Sequence, residues 1–458
     1  MAFNIATRPE DTVTWSIIIL IIALVRNNLK YGLYLLILLP VLGEFGRLPF
    51  GPENGMLASD LAVLIYLAVW IFQKITSGQK IPRTDLNKPL AAFFTIAALS
   101  LIYALTFLQS TEVIISSMYL VRLIGYVSVF LITVDILKKS ANPERDRTQI
   151  IRAILAAAFL ICIAGFIQLV IYPNLTALEE YGWDPHMGRL VSTWLDPNFI
   201  GGYLSFVIAI SLSLFFDSKK LTPKLGYLAL TIIYAAALFL TYSRSAYLAL
   251  AAVIIIIGLL RSWKLLAISA LIFIIALTTV PRVAERMGEL TQSITSITGQ
   301  SAENPDPTAR LRLKAYEQTW ELIGKRPLLG SGYNTLRYVN YNEGYVTDTT
   351  IHSASGSDSS LLTILATTGF AGLIAFIWMI FLLLKQNWKN LRTQSKKTRA
   401  AIDIKRSKAP APLRQTLSLA LFSGFIALLI HSLFVNSLLF AQIMIPLWIS
   451  IGLIQKDQ

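Results

Sequence analysis

The segment PNFIGGYLSFVIAISLSLFF, residues 197–216, decides the fold class because none of its twenty residues is charged. About 20 apolar residues in a helix are enough to cross the hydrocarbon core of a bilayer. The proline suits the first turn of a helix, and Asp196 directly before it is a good cap residue. The segment therefore predicts a transmembrane helix that begins at residue 197.

Similar apolar runs occupy most of the chain, and each predicts a span. The predicted spans are 31–46, 56–73, 89–108, 112–137, 149–172, 197–216, 225–242, 245–260, 265–281, 358–384, 415–432 and 437–454. A shorter run over 13–25 is either one more span or a helix at the membrane surface. The predicted fold class is an all-α polytopic membrane protein with about 12–13 transmembrane helices and one large outward loop that contains short helices.

The composition also indicates a membrane protein. Of the 458 residues, 55% are hydrophobic and 14% are charged, whereas about 25% are charged in soluble domains. Cys162 is the only cysteine, so neither an intrachain disulfide nor a cysteine-based metal site can form. The three histidines argue against a multi-histidine metal centre, and we predict no metal and no cofactor.

The basic residues predict the topology rather than a nucleic-acid partner. Alternate short loops carry 25 lysines and arginines in total, namely 74–88, 138–152, 217–224, 261–264, 385–414 and the C-terminal tail. The other short loops carry three, namely 46–56, 109–111, 173–196, 242–245 and 432–437. Because cytoplasmic loops are enriched in Lys and Arg, the first set is predicted to be cytoplasmic and the second to face outward from the inner (cytoplasmic) membrane. The net charge of +14 is thereby explained without nucleic acid.

One outward loop, 281–357, is 77 residues long. Connections beyond about 15 residues are usually functional or disordered. Within it, Thr308 can cap a helix from about Ala309 to Lys325. We divide the chain into N-terminal helices 1–180, a core 181–384 that includes this loop, a basic cytoplasmic loop 385–414 and C-terminal helices 415–458.

Three predicted outward sites combine an arginine with turn residues. Arg189 lies in a loop with few other cations and is followed by Asp196 and Asn198, which either cap the next helix or bind substrate. Arg244 lies in the tight turn between two spans, where it either reaches the interface or lines a polar pocket. Arg310 opens the helix of the long loop.

Two further groups complete the candidate site. The turn at Gly330 and Gly332 can expose backbone N–H groups to an anion, although most such turns bind nothing. His352 precedes the tenth span and Asp358 begins it. Either could deprotonate a hydroxyl group, while Asp358 could instead cap the helix. Arginine forks fit phosphate oxygens. Arginines that stabilise a departing diphosphate would allow a reaction without metal.

These residues resemble the O-antigen ligase and polymerase family over about 180–380. The resemblance is carried by four groups in family order within a matching topology: Arg189 with Trp194-Leu195-Asp196-Pro197-Asn198 and Gly201, Ser243-Arg244-Ser245-Ala246, Arg310 with Pro327-Leu328-Leu329-Gly330-Ser331-Gly332, and Leu361 to Gly369 with Gly372. It implies a GT-C-like, metal-independent membrane glycosyltransferase with its active site at the outer face. The implied partners are a polyprenyl-diphosphate-linked glycan as donor, a glycan, lipid or protein as acceptor, and membrane lipid.

One position departs from the family pattern. Ligases of the family usually carry a histidine at the start of the span after the long loop, and the position counted back from Gly369 holds Asp358 here. Either His352 has moved upstream or Asp358 replaces the histidine. The second case favours a polymerase of lipid-linked repeat units in O-antigen, capsule or exopolysaccharide synthesis over a ligase.

A flippase or transporter of polyprenyl glycans is the alternative from another class. Secondary transporters tend to show inverted repeats and charges within the membrane. The chain shows no repeat, and Arg122 is its one clear mid-span charge. The enzyme interpretation is therefore preferred.

The predicted topology can be tested by cysteine accessibility. Ser218, Ser301 and Ser395 are each replaced by Cys, and intact cells are treated with an impermeant thiol reagent. We expect only position 301 to react, because the charge bias places the other two in the cytoplasm. Labelling of position 395 from outside would show that the assigned orientation is inverted.

Overall fold

The computed structural model of the chain describes residues 28–48, 56–181, 183–285, 288, 307–349, 356–402 and 413–455, without the side chains of 181, 307–310 and 393–402. The fold is all-α, as predicted. Within these residues, nine helices are long and apolar enough to cross a membrane, and three shorter helices are also apolar. These twelve correspond to the twelve predicted spans. The run 13–25 lies outside the described residues.

The helices are numbered in chain order. They are α1 Leu29–Leu38, α2 Ala58–Ser77, α3 Asn87–Ala104, α4 Ser110–Lys139, α5 Pro143–Ile171, α6 Pro197–Asp217, α7 Leu221–Leu240, α8 Arg244–Arg261, α9 Trp263–Thr279, α10 Pro307–Lys325, α11 Leu336–Asn342, α12 Ser360–Ile402, α13 Leu413–His431 and α14 Ala441–Leu453. Two short antiparallel strands, β1 Arg47–Leu48 and β2 Met56–Leu57, pair between α1 and α2.

Two predicted boundaries are wrong. The first span was expected to continue to residue 46, but α1 ends at Leu38 and two 3-10 turns follow. Pro40 lacks the N–H that a helix interior needs, and Gly43 has a positive φ of 53°. Nearer the C-terminus, the tenth span was expected to end at residue 384, yet α12 continues to Ile402 because its Lys, Arg and Ala residues are good helix formers. The assignment of 385–414 to the cytoplasmic side stays a prediction.

The loops form two groups at opposite ends of the bundle. The long-loop end contains the segments 39–57, 105–109, 172–196, 241–243, 307–359 and 432–440, so far as they are described. Its segments contact one another, as when Trp194 Nε1 donates to Pro40 O at 2.7 Å and Tyr316 Oη donates to Leu433 O at 2.8 Å. At the basic end, Arg147 Nε donates to Leu453 O at 2.9 Å. The fold thus places the two sets of loops predicted from charge at opposite ends of the bundle.

Helix α6 lies at the centre of the bundle. Its most apolar 18-residue window is 83% buried, the highest value among the nine long helices of the described region. Small residues allow neighbouring helices to approach it closely: a Cβ placed on Gly201 would lie 2.4 Å from Ala246 Cβ. Close packing at small residues is a main source of helix association in membranes. The start of α6 is therefore fixed against the start of α8.

Helix α12 is broken at Gly369, which has φ 65° and ψ −172°. The loop 327–332 lies along this break and satisfies its backbone groups: Phe370 N donates to Pro327 O at 2.8 Å, and Ser331 N donates to Ala366 O at 2.8 Å. Irregular backbone at membrane depth is tolerated only where protein or water satisfies its polar groups. The loop is consequently part of the bundle, although the sequence places it outside the spans.

Replacing Gly369 by Ala tests this contact between the loop 327–332 and the break in α12. A Cβ there would lie 2.1 Å from Leu328 O, and the residue would have to keep a positive φ. We expect a clear fall in the melting temperature of the detergent-solubilised protein, since the backbone strain alone costs about 1–3 kcal/mol. Gly226→Ala in α7 is the control, because its Cβ would meet nothing within 4 Å. Equal melting temperatures for the two variants would contradict the role given to Gly369.

Candidate functional site

The start of α6 is capped by Asp196. Its Oδ1 accepts hydrogen bonds from Asn198 N at 2.7 Å and Phe199 N at 3.3 Å. Burial raises the pKa of Asp196, and these two backbone bonds and the nearby Arg189 oppose that increase. Of the two interpretations left open by the sequence, the structure gives Asp196 the capping role. A role in binding substrate stays a prediction.

Asn198 connects α6 to the turn before α8. Its Oδ1 accepts a hydrogen bond from Ser243 Oγ at 2.8 Å, and Ser243 Oγ lies 3.1 Å from Ser245 Oγ. Gly201 leaves no space between this part of α6 and Ala246. The turn that carries Arg244, the first residue of α8, is therefore held in one position against α6.

Arg189 reaches the same turn from another loop. Its Nε donates to Thr241 O at 2.8 Å, and the neighbouring Leu190 N donates to Leu240 O at 2.9 Å. The structure thus brings Arg189 and the Arg244 turn together, although 55 positions separate the two residues. Arg310 lies in the first turn of α10, but its side chain is outside the described part of the structure. The predicted convergence of all three arginines stays a prediction.

Sequence analysis did not include Arg282 in the site. It belongs to a short helical segment over 281–285, and its guanidinium donates to Met187 O at 2.7 Å and Gly188 O at 3.1 Å. The same guanidinium lies 4.4 Å from the centroid of the Tyr242 ring. Arg282 therefore joins the loop of Arg189 to the turn of Arg244.

Asp358 lies at the start of α12 beside Arg312, whose Nε is 3.9 Å from Asp358 Oδ2. The cap alternative for Asp358 is not supported, because Ser359 Oγ accepts the bond from Leu362 N at 3.5 Å. The Asp358 side chain is 58% exposed. Even so, desolvation raises the pKa of its carboxyl group, Asp184 raises it further and Arg312 lowers it. A carboxylate with a raised pKa is a better base.

The position of Arg312 was not foreseen from the sequence, which placed Arg310 and not Arg312 in the site. Tyr316, one turn along α10, is close to both Arg312 and Asp358: burial raises the pKa of its hydroxyl, Arg312 lowers it and Asp358 raises it. The Tyr316 hydroxyl also holds α10 to the loop after α13 through Leu433 O. Helix periodicity alone did not distinguish residue 310 from 312, because no sequence signal showed which face of α10 meets α12.

His431 is a second residue that the sequence analysis missed. It is fully buried at the end of α13, where its Nδ1 bonds with Ser437 Oγ, and Nε2 has no hydrogen-bond partner among the described residues. Its ring fills the space beside Gly202, where a Cβ would lie 2.8 Å from Cε1. Arg312 is close enough for its charge to act on the imidazole. The sequence signal that could have identified His431 is a histidine near the end of an apolar span.

The turn at Gly330 and Gly332 does not present its amides to an anion. Gly330 N donates to Arg326 O at 3.0 Å, Ser331 N to Ala366 O at 2.8 Å and Gly332 N to Thr367 O at 2.9 Å. The prediction that these glycines bind substrate through exposed N–H groups is therefore wrong for these amides. Their positive φ angles allow the loop 327–332 to make close contacts with the broken helix α12.

Two other expectations concern the base and metal binding. His352 lies outside the described residues, so its role stays a prediction. In the described part of the chain, no group of three or more His, Cys, Asp or Glu side chains is arranged to hold a metal ion. His186 is neutral near pH 7, because burial and Arg189 lower its pKa to about 4.

Part of the chain matches a known protein family. Residues 228–377 match the family model described as O-antigen ligase. No curated protein matches the chain. The matched region contains Arg244, Arg312 and Asp358, whereas Arg189 and His431 lie outside it. The match covers 150 of the 458 residues, so this multi-pass membrane protein resembles the O-antigen ligase family over residues 228–377.

Proposed function

We propose that the protein transfers a glycan from a polyprenyl diphosphate to an acceptor hydroxyl group at the outer face of the cytoplasmic membrane. The observation that carries this proposal is the placement of Asp358 beside Arg312, at the same end of the bundle where Arg189 meets the turn of Arg244. A base and several arginines at one end of a membrane-spanning bundle fit a lipid-linked donor, whose diphosphate emerges at the interface while its tail remains in the bilayer.

In the proposed reaction, the acceptor hydroxyl oxygen attacks the anomeric carbon of the donor sugar. Its proton passes to the Asp358 carboxylate, or to His352 if that residue is the base. The bond between the anomeric carbon and the diphosphate oxygen breaks, and the electron pair leaves with the polyprenyl diphosphate. Arginines held at the leaving group stabilise the negative charge that develops there.

The arginines are proposed to replace a metal ion in this role. Several guanidiniums close together repel one another unless an anion or carboxylates lie between them. A diphosphate supplies that charge and accepts forked hydrogen bonds. We therefore propose a metal-independent transferase whose activity persists in EDTA.

A polymerase is the alternative within the same donor class. It is favoured by Asp358, which occupies the position where family ligases usually carry a histidine.

Substitutions of the arginines test the proposed site. We expect Arg189→Gln, Arg244→Gln and Arg312→Gln each to lower kcat about 100- to 1000-fold, the effect typical of removing one donor to a developing charge. Arg312→Lys should recover little activity, because a point charge cannot replace the fork. Turnover of a polyprenyl diphosphate glycan by the reconstituted protein, with and without EDTA, is the measurement.

Lys314→Gln is the matched control for these substitutions, because it removes one exposed positive charge from the same helix as Arg312. We expect it to retain wild-type activity. Full activity in all three arginine variants would rule out the proposed site. Loss of activity in EDTA that Mg²⁺ restores would rule out the metal-independent mechanism.

A pH profile tests Asp358 as the base. The carboxyl must be ionised to accept the proton, so kcat/KM should fall as pH falls through the raised pKa of Asp358, above the usual value of about 3.9. Because Arg312 lowers this pKa, Arg312→Gln should move the acid limb of the residual activity to higher pH, while Lys314→Gln leaves it in place. An unmoved acid limb in Arg312→Gln would exclude Asp358 as the group that titrates.

A further inference from the structure

The ring of His431 is enclosed by elements that carry different parts of the candidate site. The side chain is fully buried at the end of α13. A Cβ placed on Gly202 of α6 would lie 2.8 Å from Cε1 and 2.9 Å from Nδ1 of the ring, so the absence of a side chain at residue 202 makes room for it. The backbone of Asn198, one turn earlier on α6, and the charge of Arg312 on α10 also act on the imidazole. A polar ring in so closed a space is costly unless its nitrogens find partners.

The one hydrogen bond of this ring leads to the start of α12. Nδ1 of His431 bonds with Ser437 Oγ in the loop between α13 and α14. In the same loop, Ser432 O accepts a hydrogen bond from Ser360 N at 2.9 Å. Ser360 is the first residue of α12 and follows Asp358 by two positions. The bond of the imidazole therefore holds the loop that in turn holds the backbone beside Asp358.

The same loop also holds α10. Tyr316 Oη donates a hydrogen bond to Leu433 O at 2.8 Å. Tyr316 lies one turn after Arg312 on α10, and Arg312 Nε lies 3.9 Å from Asp358 Oδ2. The loop thus connects both members of this ion pair to the ring of His431.

The opposite side of the ring faces the part of the site that contains Arg244. The ring packs on Gly202, and one turn earlier on α6 Asn198 Oδ1 accepts a hydrogen bond from Ser243 Oγ at 2.8 Å. Ser243 directly precedes Arg244 in the tight turn before α8. His431 consequently lies between the two parts of the candidate site, so its width and its hydrogen bond determine how far apart they are held.

We propose that His431 is a positioning residue for glycan transfer. Through Ser437 on one side and Gly202 on the other, it sets the separation between the proposed base and the turn of Arg244. This inference rests on the proposed function, in which the base must reach the acceptor hydroxyl while the arginines reach the diphosphate of the same sugar donor. A displacement of about 1 Å between reacting groups can lower a rate about 100-fold. His431 acts on the reaction without touching the substrate.

Two substitutions test which ring nitrogen matters. Asn places its amide where histidine has Nδ1, and an amide can donate or accept a hydrogen bond, so His431→Asn retains the bond to Ser437. Gln places its amide at the position of Nε2, which has no hydrogen-bond partner among the described residues. We expect His431→Gln to lower kcat about 100-fold with the KM of the donor nearly unchanged. His431→Asn should retain most of the wild-type kcat.

The contact with α6 is tested by a compensating pair of substitutions. Gly202→Ala alone should lower kcat, because its Cβ would displace the ring. His431→Asn combined with Gly202→Ala should restore kcat relative to Gly202→Ala alone, since the shorter side chain leaves space for the Cβ. Failure of this rescue would overturn the role given to the contact between His431 and α6.

The hydrogen bond is tested by Ser437→Ala. It should lower kcat in the same direction as His431→Gln, and the two losses should not add in the double variant, because both remove one interaction. Ser450→Ala is the matched control: Ser450 is also buried, and its Oγ has no hydrogen-bond partner among the described residues. We expect it to retain the wild-type kcat. Turnover of a polyprenyl diphosphate glycan by the reconstituted protein and the melting temperature of each variant are the measurements.

Two kinetic outcomes would overturn the proposal. One is a kcat of His431→Gln equal to that of the wild type or above that of His431→Asn. The other is a loss of activity that parallels the loss of melting temperature in every variant, since a merely structural role produces that pattern.

Hydrogen–deuterium exchange provides a measurement that does not depend on activity. The amide of Ser360 is protected by its bond to the loop between α13 and α14. We expect His431→Gln and Ser437→Ala to speed exchange in peptides over 357–363, and Ser450→Ala to leave it unchanged. Wild-type exchange rates in His431→Gln would show that the ring does not hold this loop and would overturn the proposal.

The positioning role and the proposed function fail in different ways. If the glycan transfer is wrong but the role of His431 is right, the wild type shows no turnover while His431→Gln still exchanges faster. If only the role of His431 is wrong, Arg312→Gln still loses activity while His431→Gln turns over and exchanges like the wild type.

Discussion

The satisfaction of backbone polar groups within an apolar bundle is the constraint on which the rest of the structure depends. Helix α12 is interrupted at Gly369, and each polar group released there would cost several kcal/mol in hydrocarbon. The loop 327–332 supplies partners for them through Pro327 O and the amides of Ser331 and Gly332. The same bonds hold the segment after α10 against α12. Because α10 carries Arg312 and α12 begins just after Asp358, these hydrogen bonds determine the position of the candidate site.

Close helix packing positions the other part of the candidate site, which contains Arg189 and the turn of Arg244. Gly201 and Gly202 let α6 contact both the Arg244 turn and His431 without intervening side chains. Asn198 and Ser243 add a hydrogen bond at this contact, and Arg189 and Arg282 bind backbone carbonyls around it. Rigid helix starts hold these groups more precisely than long flexible loops would. Arg189 and Arg282 are thus fixed in place, and the proposed binding of a diphosphate would require little reorganisation of them.

The two ends of the bundle differ in where their cations lie. At the long-loop end, cations lie at two positions. Arg312 lies beside Asp358, and Arg122 and Arg337 lie beside Tyr119. At the basic end, by contrast, several basic residues pair with carboxylates, as Lys74 does with Asp135 at 2.6 Å and Arg261 with Asp217 at 3.2 Å. Those pairs hold helices together.

The sequence by itself determined the fold class, the twelve apolar helices and the two groups of loops, because apolar length and charge placement are local properties of a membrane chain. It also identified Arg189, Arg244 and Asp358 as residues of interest. Only the tertiary structure decided that Arg312 lies beside Asp358 and that His431 and Arg282 join the candidate site. It also showed that the amides of Gly330 and Gly332 bond with Arg326 O and Thr367 O rather than face an anion. These relations depend on which helix faces meet and on how a broken helix satisfies its backbone, and neither is encoded in periodicity or composition.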